Sequence, residues 1–367
     1  MYSTRSMPNY DKLVRNVLSL TLNVQPDDGV IVETWDHGLP LATEFVYRLR
    51  ELGARSMLLL ESEKTYGRSL AHLPEDKLGK VGEPEWAAME KAKAYIFIPG
   101  PADFQLLWKK KKKFAASTAY NEEWYERAKR YRLKAARIGL GYATAQRAHA
   151  FRFPLTTWQN MLLTASSLNF NNLRDRIQEV APHLRNGEVK LTATNGTDLA
   201  LRLADRDPYQ DDCIVDEDDL NHGRNVANIP GGNILTCPDE TYAEGNIVFD
   251  YPTAYMGKLV DGIHLTFKNG LMTDFSIRKN PLQFKSSYDR ATGEKNKVAV
   301  IGVGLNPKAR AGFLQNNIVE GAVTVGIGGN DDIGGANKTD FYFAGVLTKP
   351  TLTVDSNVII KNGKLVV

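Results

Sequence analysis

Six histidines, two cysteines, a run of five lysines and one glycine-rich acidic stretch are the features of this chain whose types and spacing bear on chemistry. The histidines stand at 37, 72, 149, 183, 222 and 264, and none forms the H-x-H or H-E-x-x-H spacing that turns two imidazoles toward one metal ion. His264 falls in a strand pattern, Gly262–Phe267, and reads as a hydrogen-bonded strand residue. His222 follows Asp216, Glu217, Asp218 and Asp219, a cluster that would bind a cation weakly or simply form a solvated loop. With only Cys213 and Cys237, neither a disulfide framework nor a cysteine-rich metal centre can be built. Lys109 to Lys113 would attract phosphate, although such runs usually form a solvated loop or helix end. Gly326-Ile-Gly-Gly-Asn-Asp-Asp-Ile-Gly-Gly335 lets the main chain turn sharply or lie against a ligand. Its amides suggest an anion nest, which Asp331 and Asp332 oppose; the rim of a pocket is preferred over that nest, with an ordinary flexible loop the alternative.

The elements that must position these residues change character along the chain. Gly29–Trp35, Arg55–Glu61, Ala94–Pro99 and Arg137–Leu140 read as buried strands, alternating with helical stretches at Leu39–Leu52 and about Glu122–Ala136. That alternation predicts an α/β domain with a mostly parallel sheet over residues 1–185, closing in one long amphipathic helix at about 156–184. The first strand lacks the G-x-G-x-x-G turn of a dinucleotide site. Beyond residue 185, Asn195-Gly196 and Asn362-Gly363 sit between strand-like runs as hairpin turns. Further short strands are expected at 246–250, 262–267, 272–277, 297–303 and 322–327. Residues 186–367 thus read as a β-rich α+β domain.

Composition limits the function classes. The 367 residues are 43% hydrophobic and 24% charged, which suits two globular domains with real cores. A net charge of +3 is too small to argue for nucleic acid. No apolar run reaches membrane-spanning length and no signal-peptide core precedes the first helix, so a cytoplasmic protein without a membrane or nucleic-acid partner is expected.

Several C-terminal segments carry a resemblance. Thr197-Asp-Leu-Ala-Leu, Asn228-Ile-Pro-Gly-Gly, Pro238-Asp-Glu240, Glu244-Gly245 and Ile301-Gly-Val-Gly-Leu-Asn-Pro-Lys308 continue one pattern, as do Thr324-Val-Gly-Ile-Gly328 and Asn337-Lys-Thr-Asp-Phe-Tyr-Phe-Ala344. The chain resembles the aminopeptidase T family of metallo-aminopeptidases and the related dihydroxypyridine ring-cleaving dioxygenases. The resemblance implies their fold, an α/β domain followed by a β-rich one, a homo-oligomer of two or more chains, and a site around residues 233, 300, 324 and 331–344. It also implies that Asn233, Val300, Thr324, Tyr342 and Ala344 stand where those enzymes carry metal-binding Glu, His and Asp. A second register at the last motif would put Lys338 on its His and Asp340 on its Asp; the first keeps Asn337, Thr339 and Gly334-Gly335 aligned.

A divalent ion needs carboxylate, neutral imidazole or thiolate donors, which this set lacks. Without the ion nothing lowers the pKa of a bound water. The expectation is therefore a protein with no metal or other cofactor. It is either a non-catalytic binder of a peptide or small molecule, or a metal-independent hydrolase, isomerase or cyclase. In the second case Tyr342 or Lys338 would serve as general acid or base, and Asp331, Asp332 or Asp340 would orient water. Asn233, Asn306, Thr324 and Asn337 would bind the substrate. The alternative is a leucyl-type metallo-aminopeptidase or ring-cleaving dioxygenase whose ligands lie elsewhere in the chain.

Overall fold

Four apolar runs of the N-terminal half pair side by side in the computed structural model, which describes residues 9–78, 82–108 and 111–367, with the side chains at 76, 107, 108 and 111–119 excepted. The side chains of the five-lysine run therefore lie outside the described residues. Gly29–Trp35 (β1), Arg55–Glu61 (β2), Ala94–Phe97 (β3) and Lys134–Ile138 (β4) form a parallel sheet. A fifth parallel strand, Val226–Ile229 (β5), joins β4, giving the order β2-β1-β3-β4-β5. Buried Val30, Ile31 and Val32 show why β1 sits inside, since a strand covered on both faces reads as a continuous apolar run. The helix Leu39–Leu52 has Pro40 in its first turn, buries Leu41, Ala42, Phe45 and Leu49, and ends on Gly53 at φ +82°.

The expected single helix at 156–184 is two helices, Leu155–Ala165 and Phe170–Val180, followed by a short 3-10 turn. Ser166 is fully buried and the Ser167 hydroxyl donates to the Leu163 carbonyl at 2.6 Å. Serines that bond the preceding turn compete with the helix, and no Gly or Pro marks the break. The acidic stretch 216–219 is likewise a helix start rather than a loop. Asp216 and Asp219 close a capping box, and Arg224 pairs with both Asp218 and Asp219.

The described chain divides into two units, one running to Phe170 and reclaiming Cys213–Pro230, the other made of Asn171–Asp212 and Gly231–Val367. This differs from a single boundary near residue 185, because the chain crosses between units three times. The second unit is β-rich. Asn186–Thr192 and Asp198–Ala204 pair antiparallel across Asn195-Gly196, and Asn357–Lys361 with Lys364–Leu365 across Asn362-Gly363, within a nine-stranded sheet. A separate five-stranded antiparallel sheet contains Asn233–Thr236 (β6), Val298–Gly304 (β7), Val323–Gly328 (β8) and Tyr342–Leu347 (β9), in the order β9-β8-β7-β6, with Tyr209–Asp211 on the far edge. No helix among the described residues is long and apolar enough to cross a membrane.

Candidate functional site

The five positions singled out in the second unit share one face of one sheet. Gly304 pairs with Asn233, Gly302 with Thr324, Val300 with Gly326, Gly326 with Ala344 and Gly328 with Tyr342. Antiparallel partners project to the same side, and residues two apart along a strand do so too. Asn233, Val300, Thr324, Tyr342 and Ala344 are therefore neighbours, though they span more than a hundred residues of sequence.

Aromatic packing aims this face. Phe341 and Phe343, each 1% exposed, flank Tyr342 and pack edge-on to Phe284, which itself stacks on Tyr288. Alternation along β9 then turns Tyr342 to the opposite side. Two glycines keep that side low. A side chain added at Gly326 would lie 2.8 Å from Val300 Cγ2 and 3.2 Å from the Tyr342 hydroxyl, and one at Gly302 would lie 2.4 Å from Leu235. The Tyr342 ring therefore lies across bare main chain.

Tyr342 is 45% exposed overall, but its hydroxyl end is turned down against Gly326. Burial first, then the Asp332 carboxylate and Cys237, push this phenol up to about 12. Cys237 packs with Ala299 and Val300, and its Sγ donates to the Ile333 carbonyl at 3.6 Å. Burial pushes the thiol up to about 11, with Glu240 and Asp332 adding to the rise and Arg206 opposing it. At neutral pH both groups are protonated donors rather than bases or nucleophiles.

The residues that hold the glycine-rich loop were not singled out from sequence. Glu240 accepts from Arg206 at 2.6 and 3.0 Å, from the Asn330 side chain at 3.1 Å and from the Ala336 amide at 2.8 Å. These donors hold its carboxyl down at about 2 against the pull of burial. Asn330, fully buried, also donates to the Ala299 carbonyl and accepts from the Asn337 amide. The loop amides of Gly329, Asn330 and Gly335 donate to Phe341, Asn337 and Asn330 carbonyls. These three amides are already satisfied by main-chain carbonyls and are not free to hold an anion. The sequence signal was faint: Pro238-Asp-Glu240 lies 34 residues from Arg206.

The remaining candidates sort by their partners. Asn306 donates to the Gly231 carbonyl and accepts from the amides of Lys308 and Ala309, and Asn337 donates to the carbonyls of Val298 and Gly328. Both side chains brace main chain. Asn233 and Thr324, buried at 3% and 5% exposure, keep Oδ1 and Oγ1 without a partner, as does the Asn337 Oδ1. Asp331, Asp332, Lys338 and Asp340 are exposed. Of these, Asp332 acts on Tyr342, whereas Asp340 acts on Tyr255, and the Lys338 main chain is tied to Glu294. His264 sits in its expected strand, paired with Val248 and Ser276, and its Nε2 is buried without a partner.

The donor set on the sheet face is thus one amide oxygen, one hydroxyl, a phenol and, beside it, a buried thiol. It does not fit a divalent catalytic ion, which takes deprotonated donors. The nearby carboxylate of Glu240 is already occupied by Arg206, Asn330 and Ala336. Among the described residues no three His, Cys, Asp or Glu side chains are grouped to hold a metal.

A model of the thermophilic metalloprotease (M29) family matches residues 6–287, well over half of the chain. The chain belongs to that family. The matched span of this M29 chain includes Asn233 and ends before β7, β8 and β9, which carry the other four positions. Among curated relatives, aminopeptidase PepS of Streptococcus thermophilus is 30% identical over 105 residues, 27% of this chain and 24% of that protein. Aminopeptidase 2 of Geobacillus stearothermophilus is 24% identical over 123 residues, 33% of this chain and 29% of that protein. These alignments span under a third of the relatives' length. The fold match extends further. Wild-type AmpT from Thermus thermophilus superposes with a TM-score of 0.73 at 15% identity, covering 98% of this chain and 99% of that one. A 2,5-dihydroxypyridine dioxygenase from Pseudomonas putida KT2440 follows at 0.62 and 13% identity, covering 97% and 96%. The M29 chain has the aminopeptidase T-like fold throughout.

Proposed function

We propose that this M29 chain is a ligand-binding relative of the aminopeptidases that works without a catalytic metal, holding a peptide or small aromatic molecule on the sheet face beside Tyr342. The observation that carries this reading is the Val300 plug. Val300 is fully buried and packed with Ala299 and Cys237, at a point where the family resemblance calls for a charged or imidazole ligand. An aliphatic side chain there closes the bottom of the site and donates nothing to an ion. The unpartnered oxygens of Asn233 and Thr324 would accept from an amide or hydroxyl of the occupant, and the Tyr342 phenol, protonated at neutral pH, would donate to it. With phenol and thiol both held in their neutral forms, the face supports recognition better than proton transfer.

Elemental analysis of the purified chain, run beside calorimetric titration with short peptides and hydroxypyridines, tests the reading. The expected result is saturable binding without stoichiometric metal and without aminopeptidase turnover when zinc or cobalt is supplied, and Tyr342→Phe weakens binding without lowering the melting temperature. Stoichiometric zinc, iron, manganese or cobalt seated in the β-rich unit and supporting turnover would overturn it. Metal-free turnover abolished by Tyr342→Phe would replace the binder with a metal-independent enzyme.

A further inference from the structure

The strand order of the first unit creates a second place for a ligand. The chain leaves β1 toward β2 on one side and leaves β3 toward β4 on the other, so the connections that follow β1 and β3 diverge at the carboxyl ends of the strands. Open parallel sheets bind ligands at this switch point, because diverging loops leave a crevice there. A pocket of about 490 Å³ occupies that position, lined by the turn after β1 (Asp36, His37), the start of the helix Leu39–Leu52, Ile98 after β3 and the segment after β4. Its size falls in the range of small-molecule sites.

The chemistry of the walls is one-sided. Asp36 and Glu63 both line the pocket, and no Lys or Arg does. Glu63 accepts the amides of Ala102 and Asp103, each at 3.1 Å, while Asp36 accepts the Glu63 amide at 2.7 Å, so both carboxylates are held in place by main chain. His37 Nε2 lies 3.0 Å from the Gly141 carbonyl. A carbonyl only accepts, so Nε2 carries a proton, and in the neutral ring Nδ1 presents a lone pair. Nδ1 is buried and has no partner. Leu41, Ile98 and Leu163 supply apolar wall. A phosphate or carboxylate ligand would meet two carboxylates with no Lys or Arg in the lining, although Arg147, outside the lining, partly offsets Glu63 and the helix start at Leu39 leans the same way.

We propose that this switch-point pocket binds a small organic amine: an ammonium group held by Asp36 and Glu63 with its N–H directed to acceptors, and an apolar body against Leu41, Ile98 and Leu163. The site is independent of the sheet-face ligand and of its chemistry.

The test is calorimetry on the full chain at neutral pH with butylamine, phenethylamine and 1,4-diaminobutane, against butanol, butyrate and inorganic phosphate. Saturable binding of at least one amine is expected, about ten-fold or more tighter than the matched alcohol, with neither anion binding. Asp36→Asn keeps an oxygen for the Glu63 amide but removes the charge, and should weaken the amine about ten-fold with the melting temperature unchanged. Leu163→Trp, which fills the pocket, should abolish binding. Tyr342→Phe, in the other unit, should leave amine binding intact, so failure of the sheet-face reading does not touch this one. The proposal is overturned if no amine binds the folded chain saturably, if butyrate or phosphate binds more tightly than the amines, or if Asp36→Asn and Leu163→Trp bind amine as the unaltered chain does.

Discussion

Arg206 and Glu240 meet in a two-point ion pair, Nη1 to Oε1 at 2.6 Å and Nη2 to Oε2 at 3.0 Å, with the Glu240 side chain only 7% exposed. The fork geometry fixes the carboxylate so that its remaining lone pairs receive Asn330 and Ala336, and through them the whole rim of the candidate site. Removing the cation leaves a buried charge with only neutral partners. Arg206→Met should therefore cost about 3 kcal/mol of stability, measured as a drop in the urea midpoint. A double substitution, Arg206→Met with Glu240→Leu, should recover part of that loss.

The same pair sets an acid limit. Glu240 titrates at about 2 in the folded chain against an ordinary 4.5. A depressed carboxylate stabilises the fold above its unfolded value and loses that contribution as pH falls through the folded value, here between about 4.5 and 2. The loss should total about 3 kcal/mol, and the difference in unfolding free energy between the unaltered chain and Glu240→Gln should shrink across that window.

Glu33 works in the opposite sense. Burial pushes its carboxyl up to about 7, against the Tyr95 hydroxyl that donates to it at 2.5 Å, with Glu85 and Glu61 adding to the rise. The folded chain keeps this proton after the unfolded chain has released it at its ordinary 4.5. Stability from this group is complete below about 4.5, declines as pH rises through 7 and is level above. Glu33→Gln should remove that decline, which stability curves at several pH values between 4 and 8 would show.

Val300→Glu places a carboxylate where the side chain is fully buried and packed with Ala299 and Cys237. Burial without a partner should cost about 3 kcal/mol or more, read as a lowered melting temperature. Recovery of that stability by stoichiometric zinc would mean that the face still supplies the rest of a coordination shell, against the donor set described above.

Local patterns were legible in the sequence and distant pairings were not. Asn195-Gly196 and Asn362-Gly363 announced their hairpins because a tight turn needs those residues whatever surrounds it. The alternation Phe341-Tyr342-Phe343 permitted a strand but could not say which face was dry; that was decided by Phe284, nearly sixty residues earlier. The family resemblance alone grouped Asn233, Val300, Thr324, Tyr342 and Ala344, and the register sets them on one face. Lys338 and Asp340 read from sequence as reactive; both lie exposed on the approach to β9, and Asp340 raises the Tyr255 phenol while Asp332 raises that of Tyr342. Arg206 and Glu240 stayed hidden because an ion pair between a loop and a distant strand leaves no periodic trace.

The fifth strand of the parallel sheet, Val226–Ile229, comes from chain that has already passed through the other unit. Cutting the gene after codon 170 or 185 would therefore not free a self-sufficient half: the N-terminal product would expose the hydrogen-bonding groups along Lys134–Ile138 as a bare edge, inviting association with any extended segment nearby. The two units are stitched rather than strung together, so no single cut in the chain separates them.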